Sequence, residues 1–242
     1  MWHKIIQASD WSTLVDLVSP KTFELISFGE LSQELAELAG NYGDASRFGE
    51  VVQARRDLLE KNELSVRVHD SGEVLSGEPT STRADGQKVL ELYFHQILSG
   101  QSTILDLRHS RFRRSNDGLD WEPNRFYLEW APEFVAAVRK LYIGFYTDDD
   151  EMFRSAMKTL NIEVAEDSFW EHMGDGRQRA VEFELLHFRQ TAQKVLRQCK
   201  EANVDLHRNV IALGLYLATL YEHLETIGGE FDVRGAFLAV HR

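Results

Sequence analysis

The sequence predicts a mainly α protein of the α+β class, with a helical, bundle-like C-terminal half and a small antiparallel β element in the middle of the chain. All four prolines lie within the first 132 of the 242 residues, so no proline interrupts a helix after Pro132. Short apolar runs flank Asp70-Ser71-Gly72 and Asn116-Asp117-Gly118, and both segments are typical of hairpin turns. These observations place the β element between two helical regions.

One domain is expected to include residues 1–242, because no internal repeat, low-complexity run or linker-like stretch separates one part of the chain from another. Within it we distinguish a helical part at about 1–63, an α+β part at about 64–130 and a helical part at about 131–242.

The first two parts contain both helix and strand patterns. Apolar residues at helical spacing predict N-terminal helices, namely Leu31, Leu35 and Leu38 before Gly40, and then Phe48, Val51, Val52, Leu58 and Leu59. Strands at about 64–68 and 73–75 are expected to form one hairpin, and strands at about 102–114 and 119–130 a second. A helix from about Asp85 to Leu98 lies between the hairpins, and Pro123 confines its strand to an edge or a bulge.

Four helices are predicted after residue 131. The first begins at Pro132, and the second is capped by Thr147, with Asp150 in the position of the capping-box acid. The third run follows Gly174 and Gly176 and contains Val181, Leu185, Phe188, Ala192, Val195 and Cys199. The fourth ends at Gly228-Gly229, and its apolar residues alternate steps of four and three: Leu206, Val210, Leu213, Leu217, Leu220 and Leu224.

Charge and cysteine content exclude several functions. The chain has 39 acidic and 27 basic residues and a net charge of -12, which disfavours general nucleic-acid binding and attraction to anionic membranes. Cys199 is the only cysteine, which excludes an internal disulfide and any site that needs two thiolates. With no secretory signal at the start, and only the window 209–221 long and uncharged, we expect a soluble, cytoplasmic protein.

No standard catalytic motif is present in the sequence. It lacks a Walker loop, a G-x-G-x-x-G loop, a G-x-S-x-G elbow and an H-E-x-x-H zinc motif. An active site assembled from distant residues stays possible, because catalytic geometry does not follow sequence order. Whether the protein is an enzyme, and which cofactor it would use, is therefore left open.

Glu184 and His187 form an E-x-x-H sequence in the third C-terminal helix, which would place a carboxylate and an imidazole on one face. Such pairs bind metal in di-iron helical bundles, but those sites contain two E-x-x-H motifs and further glutamates. Additional ligands would have to come from Glu91 and His95, or from Glu222, His223 and Glu225. A structural or surface pair is the alternative interpretation.

The last helix carries polar residues beside its leucine positions. Tyr216, Glu222 and His223 are candidates for the polar anchors of a ligand pocket between the C-terminal helices. A hydrogen-bonded core network is the alternative, because buried polar groups need partners.

Four arginines, Arg108, Arg111, Arg113 and Arg114, lie within seven residues of an otherwise acidic chain. They suggest an anion or nucleotide site, with Trp121, Tyr127 and Trp130 available for stacking. Pairing with acids of the same hairpin, such as Asp106, Glu122 and Glu129, is the alternative.

The sequence therefore favours an accessory or binding protein that docks a protein partner or holds a small ligand between its C-terminal helices. A metal-dependent, non-haem iron-like oxidoreductase and an anion-binding hairpin are the alternatives. The apolar tail around Phe231 and Phe237 either packs on the protein's own core or forms the contact of a homodimer.

Overall fold

Eight α-helices form most of the part of the chain that the structure describes, which comprises residues 37, 41, 44–70, 77–99, 102–174, 176–177, 180–207 and 209–241 of a computed structural model. The helices are α1 (Ala45–Lys61), α2 (Arg83–Leu98), α3 (Pro132–Thr147), α4 (Asp150–Thr159), α5 (Glu166–Met173), α6 (Leu185–Glu201), α7 (Asn209–Ile227) and α8 (Val233–Val240). This content confirms the mainly helical class. None of the helices in these ranges is long and apolar enough to cross a membrane.

Helix α1 confirms the second predicted N-terminal run. Phe48, Val51, Val52 and Leu59 are buried along one side of it, as spacings of three and four require. The first run, around Leu31, Leu35 and Leu38, lies outside the described residues.

Eight short strands occupy the middle and the C-terminal part of the described chain. They are β1 (Val66–Val68), β2 (Glu78–Pro79), β3 (Thr103–Ile104), β4 (Phe112–Ser115), β5 (Gly118–Trp121), β6 (Tyr127–Leu128), β7 (Ala180–Glu182) and β8 (Glu230–Asp232). Strands β1, β5, β4 and β2 form a sheet in that order, and β3–β6 and β7–β8 form two antiparallel pairs. The hairpin around Asn116-Asp117-Gly118 is confirmed as β4–β5, where Phe112 pairs with Trp121.

β1 lies parallel to β5, with Val66 opposite Leu119, a pairing that the sequence did not predict. The predicted hairpin of this strand with residues 73–75 lies outside the described residues. The pairing follows from burial: Val66 and Val68 alternate with exposed Arg67, so two valines reach the core while the arginine stays at the surface. A short turn signal carries no information about such a distant partner.

The predicted strand at 102–114 is also interrupted. After β3 the chain forms a 3-10 turn at His109–Arg111 before β4 begins. Buried Asp106 ties this stretch together, because its side-chain oxygens accept hydrogen bonds from Arg108 and from the backbone N–H of Asn124.

Two helix starts differ from their predictions. Helix α4 is capped by Asp149, whose Oδ1 accepts from Met152 N at 2.9 Å, while the Thr147 hydroxyl donates to the Ile143 carbonyl inside α3. Thr147 cannot cap α4 because it is still the last residue of α3. Val181 lies in β7 opposite Phe231, so α6 begins only at Leu185.

The C-terminal tail packs on the protein's own core. Phe231 and Phe237 are buried, and the Phe237 ring contacts Tyr146 and Phe94 at centroid distances of 4.7 and 5.7 Å. Helix α7 ends at Gly228 and Gly229, both at positive φ, which lets the chain turn into β8. The single-domain organisation stays a prediction.

Candidate functional site

Helix α7 has a polar face and an apolar face, and the polar face is more deeply buried than the apolar one. Tyr216, Thr219 and His223 have no exposed surface, although all three carry polar groups. Such a face is stable only when each polar group has a partner, since an unpaired buried group costs about 1 to 3 kcal/mol.

The partners come from α2 and from the backbone of residues 104–107. Tyr216 accepts a hydrogen bond from Gln96 Nε2 at 2.7 Å, and the Thr219 hydroxyl donates to the Leu105 carbonyl at 2.9 Å. His223 Nδ1 lies 2.9 Å from the Leu107 carbonyl, and because a carbonyl only accepts, this nitrogen carries the proton. The face therefore forms a hydrogen-bonded core network.

Burial determines the charge state of this network. It lowers the pKa of His223 to about 3, an effect that the Leu107 hydrogen bond only partly opposes, and it raises the pKa of Tyr216 well above its usual value. Both side chains are therefore uncharged at neutral pH. The network therefore stabilises the fold and carries no charge at neutral pH.

Glu222 lies at the edge of the same network. Its Oε2 accepts from the backbone N–H of His109 at 2.8 Å, and partial burial raises its pKa. Tyr216, Glu222 and His223, the predicted pocket anchors, all lie on the side of α7 that packs on residues 96–109, and none of them lines the cavity described next. Their role in ligand binding stays a prediction.

An apolar cavity of about 250 Å³ lies against the opposite face of α7. Helices α2, α3, α5 and α6 contribute its other walls. Its lining includes Leu213, Gly214, Leu217 and Leu220 from α7, Tyr142, Phe145 and Tyr146 from α3, and Phe188, Ala192, Val195 and Leu196 from α6. Leu213 and Leu217 are half-buried, because they face this space where the sequence predicted a packed helical seam.

Gly214 leaves part of the cavity wall open. A Cβ atom added at this position would meet no heavy atom within 4 Å. Most glycines inside helices allow a neighbour to approach closely, but Gly214 has free space above it. The residue therefore widens the cavity, and a larger side chain would extend into it.

One polar cluster interrupts the apolar lining. His172 Nε2 lies 2.8 Å from the Tyr221 hydroxyl, and His172 Nδ1 lies 3.1 Å from the Thr191 hydroxyl. All three residues line the cavity. Burial is the main cause that lowers the pKa of His172 to about 4, with His187 as a second cause, so the imidazole is neutral at physiological pH.

The walls around this cluster are aromatic. The Tyr221 ring stacks on Phe188 at a centroid distance of 4.6 Å and meets Phe183 edge-on at 4.8 Å. Arg189 also lines the cavity, and no aspartate or glutamate is among its described lining residues. The cavity thus offers hydrogen-bond donors to a ligand, but no carboxylate to bind a cation.

The arginine segment makes internal contacts. Arg108 binds both oxygens of fully buried Asp106 at 2.7 and 2.8 Å, and Arg111 Nε lies 3.2 Å from the same carboxylate. Arg114 pairs with Asp85 at 3.0 Å, while Arg113 donates to the carbonyls of Ser110 and Phe112. His109–Arg111 is a 3-10 turn, so this part of the arginine segment does not belong to the strand predicted at about 102–114. Anion binding by this segment stays a prediction.

The Glu184 and His187 pair is not the helical motif that the spacing predicted. Glu184 precedes α6 in an extended conformation, so the two residues do not share a helical face. The His187 ring stacks on His172 at 4.9 Å, and Glu225 accepts from the Leu185 N–H at 3.1 Å. Within the described ranges, no three His, Cys, Asp or Glu residues converge as metal ligands, and this includes Glu91, His95 and His223.

Comparisons with known proteins add no relative: no protein-family model matches the chain, and no curated protein matches it. The cavity and its polar cluster are therefore the features that bear on function. The sequence analysis did not identify His172, Thr191 and Tyr221, because Thr191 and Tyr221 are 19 and 49 residues from His172 in the sequence. Gly214, inside the leucine pattern of α7, is the one local signal of open space at this site.

Proposed function

We propose that this protein binds a small, mainly hydrocarbon molecule in the cavity between α3, α5, α6 and α7. The observation that carries the proposal is the volume of about 250 Å³ with its almost wholly apolar lining. An apolar cavity of about 150 Å³ is known to stay dry and to bind benzene. By that comparison, the cavity suits a ligand of about ten non-hydrogen atoms.

The unfilled apolar space supports this function. Side chains that face an unfilled space lose packing contacts, and a ligand that fills the space supplies them. Binding of such a ligand therefore stabilises the folded protein.

We also propose that the protein is soluble and cytoplasmic. The net charge of -12 and the single, buried Cys199 support a soluble protein of the reducing cytoplasm. Docking of a protein partner, a homodimer and metal-dependent oxidation lack a supporting observation of comparable strength.

The experiment compares tetralin binding to the wild-type protein and to Gly214→Leu, by calorimetry and by the melting temperature. Tetralin has the size that the cavity suits. We expect it to bind the wild type and raise its melting temperature, and we expect Gly214→Leu to bind at least about tenfold more weakly, because the leucine occupies the space.

Gly49→Leu is the matched control, since Gly49 is also a helical glycine with open space around it and belongs to α1, which does not line the cavity. It should bind tetralin as the wild type does. Equal affinity of the wild type and Gly214→Leu, or no binding by the wild type, would overturn the proposal. A circular dichroism melt of each variant confirms that it is folded.

A further inference from the structure

The polar cluster of the cavity has three donor protons but makes only two hydrogen bonds. A neutral His172 has one N–H, and the hydroxyls of Thr191 and Tyr221 have one proton each. The cluster contains two hydrogen bonds, His172 to Tyr221 and His172 to Thr191, and each uses one proton. One hydroxyl proton therefore remains after both bonds are made.

This count does not depend on the tautomer of His172. If Nε2 carries the proton, it donates to Tyr221, the Thr191 hydroxyl donates to Nδ1, and the Tyr221 proton is left over. If Nδ1 carries the proton, it donates to Thr191, Tyr221 donates to Nε2, and the Thr191 proton is left over. A doubly protonated imidazole would leave both hydroxyl protons over. In every state at least one donor is left on a residue that lines the cavity.

We propose that the cavity selects an apolar molecule with a hydrogen-bond acceptor, such as a ketone or quinone carbonyl. This acceptor takes a hydrogen bond from the hydroxyl of Tyr221 or Thr191 whose proton is not used within the cluster. This inference rests on the proposed function. A purely hydrocarbon ligand would leave a half-buried donor without a partner, which lowers its affinity relative to an acceptor of the same shape.

The remaining lining residues agree with this selectivity. Arg189 has a guanidinium, which only donates, and the described lining contains no carboxylate that could receive a cation. The aromatic rings of Phe183 and Phe188 hold Tyr221 from two sides, so its hydroxyl is kept at the His172 end of the cavity. An amine cation would find no acidic partner there, whereas a carbonyl oxygen would find a donor.

The test uses two probes of the same shape, 1-tetralone and the hydrocarbon in which a methylidene group replaces its carbonyl oxygen. The measured quantity is the ratio of their association constants, which cancels the shared apolar contacts. We expect this ratio to fall at least about fivefold in the double variant Tyr221→Phe with Thr191→Val, because the buried carbonyl then loses its donor. The affinity for the hydrocarbon should stay the same or rise, since the double variant no longer leaves a hydroxyl donor without a partner beside it.

Single variants identify the donor. Either Tyr221→Phe or Thr191→Val alone should reproduce most of the loss, depending on the tautomer of His172. Thr226→Val is the matched control: Thr226 also lies in the C-terminal helices, its hydroxyl donates to the Glu222 carbonyl at 2.7 Å, and it does not line the cavity. It should leave the ratio unchanged.

The two proposals fail in different ways. If neither probe binds the wild type, the proposed function is wrong. If the hydrocarbon binds and the double variant leaves the ratio unchanged, the cavity is a ligand site but the acceptor selectivity is wrong. If the double variant weakens both probes equally, the two hydroxyls support the shape of the cavity only, and this inference is again overturned.

Discussion

Acidification from about pH 7 to about pH 5 is expected to destabilise the fold through His223, and replacement of this residue by asparagine should remove that part of the effect. The imidazole is fully buried, and burial lowers its pKa to about 3. In the unfolded chain the pKa of histidine is about 6.5, so the unfolded state takes up a proton at a higher pH than the folded state.

The sign and the size follow from these two pKa values. The folded-state pKa is depressed, so the stability is complete above about pH 6.5 and decreases as the pH falls towards the folded pKa of about 3. About pH 5 is about 1.5 pH units below the unfolded-state pKa of histidine. Proton uptake by the unfolded state therefore lowers the free energy of unfolding by about 2 kcal/mol at this pH. His172, with a pKa lowered to about 4, adds a similar loss, whereas the raised pKa of Glu222 acts in the opposite direction.

The assay is urea unfolding, followed by circular dichroism, of the wild type and His223→Asn at both pH values. Asparagine can still donate to the Leu107 carbonyl but does not titrate. The free energy of unfolding of the wild type should fall by about 2 kcal/mol more than that of the variant. Phe112→Leu is the control, because Phe112 contacts the His223 ring at 4.8 Å and has no titratable group.

The control should lose stability by a similar amount at both pH values and keep the pH dependence of the wild type. The reasoning is refuted if His223→Asn retains the full pH dependence of the wild type. An NMR titration of the His223 ring in the folded wild type gives an independent measurement: its chemical shift should not change above about pH 4.

Three further substitutions test the packing. Asp106→Asn should lower the free energy of unfolding by about 3 to 5 kcal/mol in urea titrations, because it leaves the buried Arg108 and the half-buried Arg111 without their carboxylate, and a loss below about 1 kcal/mol would contradict the pairing. Gly86→Ala should lower the melting temperature, since its Cβ would lie 2.4 Å from the Phe231 ring, and unchanged melting would disprove that close contact. Gly214→Ala and Gly49→Ala should each stabilise the protein by about 1 kcal/mol, measured by urea unfolding, and destabilisation of either would show that its site is not open.

Local signals predicted the longer helices, such as α2, α3 and α7, because these have start, stop and periodicity signals of their own, whereas the short helices α5 and α8 were not predicted. Pro132 begins α3 as predicted, and Gly228 with Gly229 ends α7. The parallel partner of β1 could not be predicted in the same way. Val66 and Leu119 are 53 residues apart, and no residue near either of them encodes the other.

The candidate site illustrates a different limit. Leucines at spacings of three and four on α7 predicted a packed seam, and Tyr216 and His223 predicted a pocket. In the structure the leucine face borders the cavity, and the face with Tyr216 and His223 is packed in the core. Hydropathy alone cannot distinguish an apolar face against a cavity from one against a core, because both are written with the same residues. His172 acquires its partners from other helices, which a single sequence does not reveal.

The hydrogen bonds on the polar face of α7 also determine which walls of the cavity can move. A rotation of α7 would break its bonds to Gln96, to Leu105 and to Leu107, and each loss of a buried partner costs about 1 to 3 kcal/mol. Helix α6 has fewer such anchors on its cavity side: Thr191 hydrogen-bonds to His172, whereas Ala192, Val195 and Leu196 contribute apolar side chains. We therefore expect α6 to be displaced more easily than α7, and hydrogen exchange should be faster in α6 than in α7 when the cavity is empty.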